Sequence, residues 1–136
     1  MKKIFGLWGA ANRGKTTTLN ILVDLLSQVS DTYDIHKTYD SRAWFVINGI
    51  KIGICTPGDN QKQLKDNIIF FTENECEIIV TATRTKGGSV DELEIFKNEQ
   101  NAELIWIEKK DYPNLNKLVA ADIFRRIIDE VYPKAK

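Results

Sequence analysis

The chain opens on a short apolar run, Ile4 to Trp8, closed by a glycine, which is the pattern of a buried strand. From Lys15 to Val29 the apolar positions Leu19, Leu22, Leu26 and Val29 recur at helical spacing. A polar stretch, Ser30 to Ser41, follows and holds the only histidine, His36. Two strand-like runs, Ala43 to Ile47 and Ile50 to Cys55, flank Asn48-Gly49, a pair that favours the positive φ angles of a tight turn and predicts an antiparallel hairpin. Gln61 to Phe71 reads as a second helix with Leu64, Ile68 and Phe71 on one face. Glu77 to Ala82 is a compact β-branched strand suited to a buried parallel position. Ser89 and Glu92 have the spacing of a capping box, predicting a third helix with Leu93 and Phe96 inward. Ala102 to Ile107 is the last strand. From Pro113 to about Val131 the pattern is helical, with Leu115, Leu118, Ile123, Ile127 and Val131 on the buried side.

Strand, helix, hairpin, helix, strand, helix, strand, helix is a three-layer α/β/α plan. It predicts a mainly parallel sheet of five strands with one antiparallel hairpin strand. No repeat, low-complexity run or linker interrupts residues 1–136, so a single domain is expected. Sheets of this kind bind ligands beyond the carboxyl ends of their strands.

Composition narrows the partners. Hydrophobic residues make up 43% and charged residues 28%, values of an ordinary folded domain. Lys plus Arg equals Asp plus Glu at 19 each, which argues against nucleic acid as the main partner, because affinity for its backbone comes from surplus cations. Cys55 and Cys76 lie in apolar segments without the spacing of a metal knuckle or redox pair, and read as buried thiols in a reducing compartment. No apolar stretch approaches the roughly 20 residues that span a membrane. The polar Ala-Asn-Arg-Gly-Lys run cuts short the apolar start that a signal peptide would need, so a cytoplasmic location is expected.

The chemistry concentrates at Gly9-Ala10-Ala11-Asn12-Arg13-Gly14-Lys15-Thr16, which satisfies G-x-x-x-x-G-K-[ST] at every required place. Gly9 and Gly14 let the backbone turn tightly and bring its N–H groups to phosphate oxygens. The helix that starts at Lys15 aims unpaired N–H groups, those of Thr16 and Thr17 among them, at the same anion. Lys15 adds a mobile positive charge for the β and γ phosphates, and the Thr16 hydroxyl suits Mg²⁺. Asn12 tolerates left-handed backbone angles better than most residues. A strand before the motif and an amphipathic helix after it are the context that separates it from a chance glycine loop.

On these residues the chain resembles the P-loop NTPase superfamily, which implies that it binds ATP or GTP with Mg²⁺. In Ras-like GTPases a similar hairpin ends in D-x-x-G, where the Asp supports Mg²⁺ and the Gly amide reads the γ-phosphate. The second strand of this hairpin ends in Cys55-Thr56-Pro57-Gly58, so Gly58 matches the glycine and Cys55 replaces the Asp. Asp59 follows where Ras-like proteins keep the residue that positions the attacking water. Metal support, water positioning and capping of the next helix, shared with Asn60, are its open roles. Guanine-specific relatives carry N-K-x-D, against Glu108-Lys109-Lys110-Asp111 here. That difference leaves ATP and GTP unseparated, with a slight lean to ATP.

The usual P-loop strand order also puts Thr83-Arg84-Thr85-Lys86-Gly87-Gly88 over the nucleotide. Arg84 or Lys86 would then serve as an arginine finger supplied in cis, and a basic surface turn is the plain alternative. Trp8 and Trp106, which end core strands, read as packing rather than as base platforms. The expected function is a Mg²⁺-dependent NTPase or nucleotide switch. Its alternatives are a small kinase acting on an acceptor, and a non-catalytic nucleotide-binding module that works through a protein partner.

Overall fold

The computed structural model describes residues 2–10, 14–37 and 40–133. Six strands form one sheet: β1 (Lys3–Trp8), β2 (Thr32–Lys37), β3 (Ser41–Ile47), β4 (Ile50–Cys55), β5 (Ile78–Thr83) and β6 (Glu103–Glu108). Four helices accompany them: α1 (Lys15–Ser27), α2 (Gln61–Glu73), α3 (Gly88–Gln100) and α4 (Asn116–Val131). The strand order is β2-β3-β4-β5-β1-β6. Only β3 runs against its neighbours; the pairs β4–β5, β5–β1 and β1–β6 are parallel.

The layers follow from strand alternation, which sends successive side chains to opposite faces. Phe5 and Leu7 of β1, Ile52 and Ile54 of β4 and Val80 of β5 pack with Leu19, Leu22 and Leu26 of α1 and Ile123 and Ile127 of α4. Ile4, Cys55 and Ile79 face the other way, onto Leu64 and Phe71 of α2 and Leu93 and Phe96 of α3. β5, buried along its whole length, stands at the centre.

The sheet has six strands rather than five. The additional strand, β2, lies within the polar Ser30–Ser41 stretch. It is an edge strand with every residue but Ile35 exposed, and its alternation is confined to Tyr33 and Ile35, too short a signal to read. The antiparallel ladder to β3 holds it, from Thr32 opposite Val46 to Lys37 opposite Ser41.

Three helix readings also change. Ser89 and Glu92 form no capping box: Arg84 N–H donates to Ser89 Oγ, and Gln61 Nε2 donates to Glu92 Oε1. A 3-10 turn, Pro113–Leu115, precedes α4 and shifts its register. Leu115 and Leu118 are therefore exposed, as is Val29 beyond the end of α1. Among the described residues no helix is long and apolar enough to cross a membrane.

Candidate phosphate-binding site

The carboxyl ends of β1 and β5 lie side by side, with Trp8 opposite Thr83, and each strand runs straight into a loop. Behind β1 the chain passes Gly9 and the exposed Ala10, then re-enters the described residues at Gly14. Ala11, Asn12 and Arg13, assigned to phosphate binding from the sequence, lie outside the described residues. Gly9 fits closely: a Cβ there would stand 2.7 Å from the Lys109 carbonyl oxygen. Gly14 is the N-cap of α1 with φ +82°, a left-handed conformation that glycine adopts without strain. It supplies no side chain to cover the first helical N–H groups, and the first turn holds no acidic residue. The amino end of α1 is thus left open to an anion. Thr16 is partly exposed and Thr17 exposed on that first turn.

Lys15 is only 6% exposed, unusual for a lysine. Its ammonium donates to the carbonyl oxygens of Gly9 at 2.7 Å and Thr83 at 2.5 Å, so it bridges the ends of β1 and β5. Desolvation lowers its pKa from 10.5 to about 8; Asp59 opposes that shift and Arg84 adds to it. The Asp59 carboxylate reaches this cation across 4.0 Å, and the same oxygen lies 3.9 Å from Arg84 Nη1. Three residues assigned catalytic roles from the sequence, Lys15, Asp59 and Arg84, therefore converge from three separate segments.

Asp59 arrives there because the turn after β4 crosses the end of β5. Gly58 touches Ala82 so closely that a Cβ would fall 1.9 Å from the carbonyl oxygen, far inside van der Waals contact. Asn60, not Asp59, caps α2, its side chain accepting from Gln63 N–H at 2.9 Å. Gln63 Oε1 in turn accepts from the N–H groups of Gly58 and Asp59. The capping role thus falls away from Asp59, whose carboxylate faces the two cations.

The loop after β5 divides its basic residues. Arg84 points to Asp59, while Lys86 is exposed and belongs to the surface turn. The Ser89 hydroxyl that failed as a helix cap anchors the Arg84 backbone at 3.1 Å.

Cys55 ends a strand that does not adjoin β1. β5 separates β4 from β1, and the thiol is buried on the α2–α3 face beside Arg42, with its pKa raised by desolvation. Both cysteines are unpaired and buried. Among the described residues no three His, Cys, Asp or Glu side chains gather as a metal cluster. The donors that fit Mg²⁺ are a hydroxyl, Thr16, and one carboxylate, Asp59; that set suits an ion which keeps several waters and takes its other ligands from phosphates.

Sequence reasoning missed the ties that hold this arrangement. Buried Asn67 of α2 donates to the Pro57 carbonyl at 2.7 Å and to Thr81 Oγ1 at 3.1 Å, and accepts from Arg42 Nε. Its signal was a polar residue set between Leu64, Ile68 and Phe71 on the apolar face of α2. Ser41 and Thr56 exchange two hydrogen bonds, and Ser41 Oγ donates to Asn20 of α1. Asn116, first residue of α4, packs against Gly14, and its buried Oδ1 has no hydrogen-bond partner among the described residues.

Another cleft, of about 600 Å³, lies elsewhere, against the β2–β3 hairpin. It mixes acids and bases (Asp34, His36, Lys37, Asp40, Arg42) and so presents no single chemistry. No family model, curated protein or solved structure matches this chain.

Proposed function

We propose that the Gly9–Thr16 segment binds the phosphates of a nucleoside triphosphate, ATP or GTP, with Mg²⁺, and that the chain is an NTPase or nucleotide-dependent switch of the P-loop type. One observation carries this reading: a desolvated lysine at the open amino end of a helix, between adjacent parallel strand ends, facing a carboxylate and an arginine. A lysine so placed costs stability unless an anion rewards it.

In this reading Lys15 leaves the carbonyls of Gly9 and Thr83 and donates to the β and γ phosphates, while the first N–H groups of α1 hold the rest. Thr16 and Asp59 would hold Mg²⁺, which when bound offsets phosphate charge. Arg84, released from Asp59, stabilises charge on the transferring phosphoryl group. The two reduced thiols fit a cytoplasmic setting.

The test is Lys15→Ala. Calorimetry with ATP or GTP and Mg²⁺ should detect binding by the parent and none by the variant, with both folded by circular dichroism. Equal affinities would overturn the assignment. A parent that binds but releases no phosphate would leave the non-catalytic, partner-dependent module.

A further inference from the structure

Trp8 and Trp106 line a cleft of about 370 Å³ together with Thr85 and Val90. Strand register builds it. Gly6 pairs with Trp106, and the absent glycine side chain lets the indole lie across β1: a Cβ at Gly6 would come within 2.7 Å of Trp106 Cζ3. Two residues on, Trp8 projects from the same face. Val90 in the first turn of α3 and exposed Thr85 complete the lining. The volume falls within the 300–1,000 Å³ range of small-molecule sites, roughly speaking. None of the four residues is charged.

We propose that this cleft binds a flat, uncharged heteroaromatic ring of the nucleobase class. Indole stacks on any base because every base has a π face, and the Thr85 hydroxyl adds a polar contact at the rim. Position supplies the second argument, and here the proposal rests on the phosphate-binding reading. Trp8 directly precedes Gly9, and Thr85 directly follows Arg84, so a ring in the cleft lies beside the Lys15–Asp59–Arg84 cluster. The ring has two sources: the base of the nucleotide held at the loop, or a separate nucleoside that approaches from the α2–α3 face.

The experiment uses Trp44→Phe, which leaves Trp8 and Trp106 as the only tryptophans of the original three. Adenosine, guanosine, cytidine and thymidine are titrated while tryptophan emission is followed; Mg²⁺–tripolyphosphate binding is measured separately by calorimetry. At least one nucleoside should quench emission. Val90→Phe, which crowds the cleft, and Trp8→Ala, which removes a stacking face, should each weaken that nucleoside about ten-fold while sparing tripolyphosphate. Displacement of the nucleoside by its own triphosphate, but not by tripolyphosphate, assigns the ring to the loop nucleotide. Simultaneous binding of nucleoside and triphosphate assigns it to a second molecule. The proposal falls if no nucleoside, and neither ATP nor GTP, alters the emission, or if both folded cleft variants bind nucleoside as the parent does. Tripolyphosphate that still binds then leaves the phosphate site standing; tripolyphosphate that fails as well removes both.

Discussion

Lys15 has two protonation states within reach of ordinary buffers. Its pKa is about 8 in the folded protein against 10.5 for an exposed lysine, so between these values the folded state holds fewer protons than the unfolded one. Its stability cost is therefore complete below pH 8 and fades as pH rises toward 10.5. Under the proposed function binding runs the opposite way, because a phosphate would need the ammonium. Affinity for Mg²⁺–tripolyphosphate should be flat below pH 8 and fall by up to about ten-fold per unit above it, in calorimetric titrations from pH 6.5 to 9.5. Arg84 allows a different dissection. Its pairing with Asp59 is 3.9 Å long and substantially exposed, a kind of contact that stabilises a fold little. Arg84→Ala should leave folding and nucleotide affinity nearly unchanged but lower single-turnover phosphate release by about ten-fold or more, the modest end for an arginine finger. Equal turnover in parent and variant would retire Arg84 while leaving Lys15 in place.

Elements, rather than side chains alone, decide where Asp59 sits. The β4–α2 turn is held by Asn67 from within and by Gln63 from the helix end, and it rests on Ala82 through Gly58. Gly58→Ala should lift the turn off β5 and lower stability by about 3 kcal/mol, the upper end for overpacking, seen as an earlier midpoint in urea. The parts of this arrangement differ in how far they could be read in advance. Lys15, Asp59 and Arg84 were legible because the phosphate-loop pattern is local and the other two close apolar strands or lie just after them. Asn67 was not, because its partners, Pro57, Thr81 and Arg42, come from three other segments. Strand β2 escaped for a related reason: only Tyr33, stacked on Phe45, and Ile35 turn toward the core, a shorter alternation than that of β3, where Ala43, Phe45 and Ile47 point inward in turn. The Ser89–Glu92 spacing was legible but misleading, since tertiary partners took both side chains from the helix end.

Across the whole molecule, stability and chemistry divide along the sheet. β5 and β1 lie between covered faces, whereas β2 sits at the margin with charged Asp34 and Lys37 exposed. Charges on an edge discourage pairing with another chain. Amide exchange should accordingly be fastest in β2 among the strands and slowest in β5, and saturating nucleotide should slow Gly9 and the first turn of α1 without altering β2. Equal protection of β2 and β5 would contradict this gradient. The hairpin turn has a practical value of its own. Asn48 and Gly49, with φ 51° and 76°, close β3 and β4 at the end of the sheet away from Lys15, and nothing crowds the Gly49 α-carbon. A biotinylated loop grafted between them would tether the protein to a sensor surface by its far end, with Lys15 and the amino end of α1 turned toward the flowing solution and any ligand's kinetics there open to direct recording.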